Sequence, residues 1–163
     1  MINDACIGLI ESGVVDNLNK GCDVGVSVAA EIMGTRDLYD WVDNNPRIRM
    51  ANGAWTHGLK GMASINNFVA LQSTVEIALD GSCNSEFASG RYISGPGGAP
   101  DFAFGASVAT GGRAIIAMPA TAARGTVSKI VTRLSPGAPT TLPSYTADTV
   151  SYTHLTLPTN REV

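Results

Sequence analysis

The chain has 163 residues, 44% of them hydrophobic and 15% charged, with a formal net charge of −3. That length suits one domain with a core of its own, and a charged fraction below the roughly 25% of an average globular chain predicts extensive burial. A weakly acidic chain without a Lys/Arg stripe argues against a nucleic-acid partner. No apolar run nears the ~20 residues that cross a bilayer, and the N-terminus lacks the charged and apolar regions of a signal peptide, so the expectation is a soluble cytoplasmic protein with no membrane partner.

Ala5, Cys6, Leu9 and Ile10 recur at helical spacing after Asn3 and Asp4, and Gly13 ends the pattern, which predicts a short opening helix. Val24 to Met33 is β-branched and apolar enough for a buried strand. Thr35 then caps a second helix that Asn44-Asn45-Pro46 stops, a β-then-α rhythm. Ile48 to Met50 reads as a short strand and Ala54 to Met62 as ambiguous between loop and a turn of helix. Phe68 to Leu79 reads as one strand, turning at Asp80-Gly81 so that Ser82 to Phe87 returns antiparallel. Val75 is then an inward strand residue, with Glu76 on the opposite face. Arg113 to Met118 predicts a buried strand, and Val127 to Leu134 should pair as a hairpin with Pro139 to Leu142 around Ser135-Pro136-Gly137.

Between these elements lies Ser94-Gly95-Pro96-Gly97-Gly98-Ala99-Pro100-Asp101-Phe102. Glycine permits φ > 0 and close approach of another molecule to the main chain, while proline stiffens what remains. The expected product is a rigid loop with exposed N–H groups, suited to an oxyanion or a phosphate. Asp101 would cap the helix that follows, and a helix N-terminus favours negative charge.

Other chemistries find little support. Cys6, Cys22 and Cys83 are widely spaced without a CxxC pair, which argues against disulfides and zinc and predicts buried, inert thiols. His57 and His154 fit no metal-ligand spacing, so no metal is expected. A GxSxG elbow and a Walker Gly-Lys-Ser/Thr are absent, and GPGGAP does not satisfy GxGxxG. Glu76 and Glu86 are more naturally solvated or structural than an acid/base pair, and Asp101 a cap rather than a catalyst.

The last residues break with this logic. Val150 to Thr159 back-translates without mismatch from GTCTCTTATACACATCTGACGCTGCCGACG, a transposon-type sequencing adapter. Residues 149–163 are therefore expected to be translated adapter, which removes Tyr152 and His154 from consideration; the rival reading is a genuine C-terminal strand and turn.

Five blocks in order carry a wider resemblance: Asn67 to Ile77, Gly81 to Glu86, Ser94 to Phe102, Gly111 to Ala122 and Gly125 to Val131. With Leu38-Tyr39-Asp40 and Asn44-Asn45-Pro46 added, residues 1–148 resemble the C-terminal domain of the acetyl-CoA hydrolase/transferase family, which includes acetate, butyrate and 4-hydroxybutyrate CoA-transferases. The resemblance implies an α/β fold with a mixed sheet and flanking helices, as in the CoA-transferase superfamily. It implies a glutamate nucleophile just before Met1, hence outside the chain, a truncated domain that is inactive alone, and a separate N-terminal domain as partner, with a homo-oligomer as a further possibility.

In the implied reaction a carboxylate attacks an acyl-CoA thioester, an enzyme glutamyl-CoA thioester forms, and a short carboxylic acid accepts coenzyme A; acyl-CoA hydrolysis is the variant. Coenzyme A enters as substrate, with no metal. Gly97 and Gly98 are the expected oxyanion support, and Val75, Gly95, Gly97 and Gly98 the expected coenzyme A contacts. Arg124 and Lys129 are either contacts to its phosphates or solvated surface charges. Ala99 after the paired glycines and Gln72 stand where the family commonly has Gln and Asn. The alternative reading is a non-catalytic nucleotide- or phosphate-binding module built on the Gly-rich loop.

Overall fold

The computed structural model describes residues 1–152 and 155–158 and divides into two compact units, Met1–Asn66 and Asn67–Val163. In the first, Asn3 Oδ1 accepts the Ala5 N–H at 3.1 Å and so starts α1 (Asp4–Glu11). The expected strand over Val24 to Met33 is only β1 (Ser27–Ala29), because Gly25 turns the chain at φ +76° before it. Beyond it, Ile2 and Ile32 form an isolated parallel bridge.

Thr35 stands at the N-cap of α2 (Arg36–Val42), but its side chain accepts no N–H of that helix; its N–H and hydroxyl both donate to the Asp4 carboxylate. β2 (Ile48–Met50) runs parallel to β1. The ambiguous stretch is two short helices, α3 (Gly53–Thr56) and α4 (Leu59–Ala63). Ile2, Ala29 and Leu38 form the unit's core, with Ile7, Trp41 and Ile48 packed on it.

The second unit contains, in order, β3 (Val69–Gln72), β4 (Glu76–Ala78), β5 (Cys83–Asn84), β6 (Phe87–Ala88), β7 (Arg91–Tyr92), α5 (Ala99–Val108) and β8 (Arg113–Met118). There follow β9 (Thr121–Ala122), β10 (Val127–Ser128), β11 (Ile130–Val131), β12 (Thr149–Tyr152) and β13 (Leu155–Pro158). A four-stranded mixed sheet has the order β13-β12-β8-β3, with β3, β8 and β12 parallel and β13 antiparallel. Ala103 and Ala106 of α5 pack against Ala70, Ala114, Ile116 and Met118 of that sheet. The small residues let helix and sheet approach closely: a Cβ on Gly112 would lie 2.1 Å from the Ala106 carbonyl oxygen.

Three expectations fail here, each for a physical reason. Phe68 to Leu79 is two strands in two different sheets, since the Thr74 hydroxyl and Val75 N–H both donate to the Asn84 carbonyl, at 2.6 and 2.9 Å, and pull the chain across to β5. The β4–β5 hairpin through Asp80-Gly81 does form, Gly81 having φ +87°. The hairpin expected between Val127 to Leu134 and Pro139 to Leu142 does not: β11 runs parallel to β4, and Leu142 bridges to Cys83. The buried Glu76 carboxylate accounts for this, because it accepts the Ser135 N–H and hydroxyl, each at 2.8 Å, and draws the turn to β4. Asp101 does not cap α5; Gly98 is its N-cap, and Asp101 lies exposed in the first turn.

The segment expected to be foreign, 149–163, falls partly outside the described residues, His154 included. Its described parts are β12 and β13.

Candidate functional site

β3 and β8 are adjacent and parallel, so their C-terminal ends lie on the same side of the sheet. Ligands of open α/β sheets favour the crevice outside such ends. An open cleft of about 480 Å³ lies there, lined by Ser73, Thr74 and Val75 after β3 and by Pro119, Thr121 and Ala122 after β8. Ser85 and Lys129 complete it from the neighbouring sheet. Val75 is therefore not the inward strand residue expected but a half-buried wall of this cleft.

The cleft is held by backbone ties. Besides the bonds to the Asn84 carbonyl, the Ser85 hydroxyl lies 3.2 Å from the Thr74 hydroxyl, and the Lys129 carbonyl accepts the Ile77 N–H at 2.9 Å. Ala123 and Arg124, in the β9–β10 connection beside Ala122, both have left-handed backbone, at φ +48° and +54°. Non-glycine residues adopt that conformation only when their surroundings require it, and such strain collects near functional sites.

The Gly-rich loop joins this region through Gln72, the residue before Ser73. Gln72 Nε2 donates to the Ala99 carbonyl at 2.9 Å, in the first turn of α5, while Gln72 Oε1 is buried and unpartnered. The loop's other end is tied by Ile93 N–H donating to the Glu86 carbonyl at 2.7 Å. Between these anchors Gly95 and Gly97 are exposed and Gly98 half-buried. Among the described residues, the N–H groups of Gly95, Gly97 and Gly98 donate to no protein group. Gly97 has φ +56°, a conformation that favours glycine.

Of the remaining candidates, Glu76 and Glu86 do not form an acid/base pair. Glu76 Oε1 also accepts from Asn84 Nδ2 at 3.1 Å, and Glu86 accepts the Thr141 hydroxyl at 2.8 Å, so both carboxylates carry structural bonds. Arg124 is exposed and does not line the cleft. Cys83 is buried as expected, and burial pushes its thiol pKa up to about 12. Cys6 and Cys22 are only half-buried, contrary to expectation, because the small first unit has too thin a core to cover them.

No three His, Cys, Asp or Glu residues are grouped as metal ligands among the described residues. Nor is any described helix long and apolar enough to cross a membrane. The sequence did not disclose the cleft itself, although the polar pair Ser73-Thr74 inside an apolar run was the signal that the strand breaks.

Residues 34–152 match the acetyl-CoA hydrolase/transferase C-terminal domain. The chain belongs to that family. It is 38% identical over 141 residues to a 4-hydroxybutyrate coenzyme A transferase of Clostridium kluyveri, a match that takes in 86% of this chain and 33% of the relative. It is 36% identical to a succinyl-CoA:cyclohexane-1-carboxylate CoA transferase of Geobacter metallireducens, over 86% of this chain and 32% of that one. The chain thus spans about a third of the length of these curated relatives.

Among solved structures, RipA from Yersinia pestis superimposes with a TM-score of 0.89 at 34% identity, covering 98% of this chain and 36% of that one. A 4-hydroxybutyrate CoA-transferase from Porphyromonas gingivalis does so with a TM-score of 0.82 at 26% identity, covering 100% and 37%. The fold is the α/β arrangement of CoA-transferases, as the resemblance implied.

Proposed function

We propose that the chain supplies the coenzyme A-facing part of a CoA-transferase acting on short carboxylic acids. The observation that carries this reading is the Gly-rich loop, whose N–H groups at Gly95, Gly97 and Gly98 have no protein partner among the described residues and which is anchored beside the crevice at the ends of β3 and β8. Unpaired, preoriented amides stabilise charge that develops on oxygen. Family membership gives that charge a source.

The reaction proceeds in two exchanges. A glutamate carboxylate from outside residues 1–163 attacks the thioester carbonyl, and the coenzyme A thiolate leaves, giving a mixed anhydride. The thiolate then attacks the glutamyl carbonyl and releases the first acid as its carboxylate, leaving a glutamyl-CoA thioester. The second acid repeats both steps in reverse, so neither a redox partner nor a metal is required for balance. Each attack raises a tetrahedral oxyanion, which the Gly97 and Gly98 N–H groups face, while Val75 and Gly95 contact the pantetheine chain. Loss of one such donor costs on the order of 10²- to 10³-fold in rate. Water in place of the second acid would give hydrolysis, and the amount of free acid formed per acyl-CoA consumed separates the two.

Nuclear magnetic resonance titration of the chain with coenzyme A tests the assignment. Saturable shifts of the Gly95, Gly97, Gly98 and Val75 amides are expected, together with weaker binding by Gly97→Val. A titration that leaves all four amides unmoved overturns it.

A further inference from the structure

The four-stranded sheet is covered on one face and bare on the other. On the covered face Ala70, Ala114, Ile116 and Met118 are buried with Ala103 and Ala106 of α5. On the opposite face Val69 is 51% exposed and Leu71 68%, Ala117 is exposed and Ile115 is half-buried. These residues do not suit water. Ala114-Ile115-Ile116-Ala117-Met118 is an unbroken apolar run, and so is Phe68-Val69-Ala70-Leu71. A strand with one solvated face alternates apolar and polar residues, whereas a continuous run marks a parallel strand buried on both sides.

Topology explains why the second face stays bare. The chain passes from β3 to β8 and then from β8 to β12, each time to a parallel neighbour and each time in the same direction across the sheet. Crossovers of this kind are right-handed in nearly all proteins, and two right-handed steps in one direction place both connections on one face. α5 lies in the first connection, and Leu142 and Ala147 of the second join the same core. Neither connection is left to cover Val69 and Leu71.

We propose that this bare face is a docking surface for an amphipathic helix from the part of the family's longer polypeptide that lies outside residues 1–163. Helices are what parallel sheets carry on their faces. The length for one exists, since the matches take in only 33% and 32% of the two curated relatives. Charge gives the helix a register. Arg113 begins β8 on the same face as Ile115 and Ala117, is exposed, and takes part in none of the ion pairs formed among the described residues. The helix sets apolar residues over Val69, Leu71 and Ile115 and a carboxylate at Arg113, while the small side chain of Ala117 leaves room for close approach. The inference rests on family membership and not on the chemistry assigned to the Gly-rich loop, so either can fail without the other.

A thiol placed on the face tests this. Leu71→Cys and, as a second reporter, Val69→Cys are made in the chain, and the aligned positions are changed to cysteine in the intact Clostridium kluyveri transferase. Labelling by N-ethylmaleimide is followed peptide by peptide. In the chain the introduced thiols should react as exposed thiols do; in the intact relative they should react at least about 100-fold more slowly until it is denatured. A photo-crosslinking amino acid at the position aligned with Leu71 should join a helix of the relative outside the matched third.

Stability gives an independent reading. Leu71→Lys should leave the urea midpoint of the chain unchanged, because a bare face tolerates charge, whereas Ile116→Ala on the covered face should lower it. Slow labelling in the chain, fast labelling in the intact relative, a cross-link within the matched third or to a second subunit, or a lowered midpoint for Leu71→Lys overturns the proposal.

Discussion

Gln72 Nε2 donates to the Ala99 carbonyl, so the last residue of β3 holds the first turn of α5 and, with it, one end of the Gly-rich loop. The side chain thereby couples a strand end to a loop reached only after 26 intervening residues, 99 − 72 − 1. Gln72→Ala removes that tie and also the unpartnered buried oxygen. The two effects oppose each other, so the expected loss of stability is small, about 1 kcal/mol or less. Hydrogen exchange should be the more sensitive probe: amides at the start of α5 are expected to exchange faster than in the native chain, and unchanged exchange there would show that the bond does not hold the loop.

Gly112 sits where α5 meets β8. A Cβ at that position would fall 2.1 Å from the Ala106 carbonyl oxygen and 3.0 Å from the Ala109 Cβ, and main chain cannot give way as a flexible side chain can. Gly112→Ala is expected to destabilise the second unit by about 3 kcal/mol or more, an overpacking effect at the top of the usual range. Urea unfolding checks this, and Gly97→Ala is the control. Its Cβ meets nothing within 4 Å, so it should cost only the left-handed backbone strain of about 1 kcal/mol.

Glu76 is buried, with both carboxylate oxygens accepting bonds. Glu76→Gln keeps the shape, because Ser135 Oγ can accept where it formerly donated. Glu76→Ala leaves the Asn84 amide and Ser135 N–H without their acceptor. The alanine variant should therefore lose about 2 to 3 kcal/mol and the glutamine variant about half as much. Equal losses in denaturant unfolding would mean that the Ser135 turn is held by something other than these bonds.

Cys83 supplies a pH dependence. Its folded pKa is raised to about 12 from an ordinary value of 9.0, chiefly by desolvation. Between these values the unfolded thiol loses its proton while the folded one keeps it, so the native state binds more protons and stability falls as pH rises. The slope approaches about 1.4 kcal/mol per pH unit in that window and vanishes below it. Cys83→Ala should abolish this component of the alkaline loss. A thiol reagent at pH 8 should label Cys6 and Cys22 in the native chain, and Cys83 only after denaturation.

How far the chain could be read in advance differs by element. The helix at Asp4–Glu11, the Asp80-Gly81 hairpin and the strand at Arg113–Met118 were legible because a capping Asn, a turn glycine and a run of Ala and Ile act within a few residues of themselves. The Gly-rich loop was equally legible, since its conformational freedom belongs to the glycines. The division of Phe68 to Leu79 and the lost hairpin after Val127 were not, because both turn on acceptors supplied from elsewhere: the Asn84 carbonyl for one and the Glu76 carboxylate for the other.

The amino-acid order alone determined the family and the position of the loop, consequences of blocks kept in order and of local composition. Tertiary structure alone decided that Ser73, Thr121 and Lys129 share one cleft and that Gln72 reaches Ala99. The physical reason is the parallel register of β3 and β8. It brings residues 48 positions apart, 121 − 73, to the same end of a sheet, and no property of either segment by itself specifies that pairing.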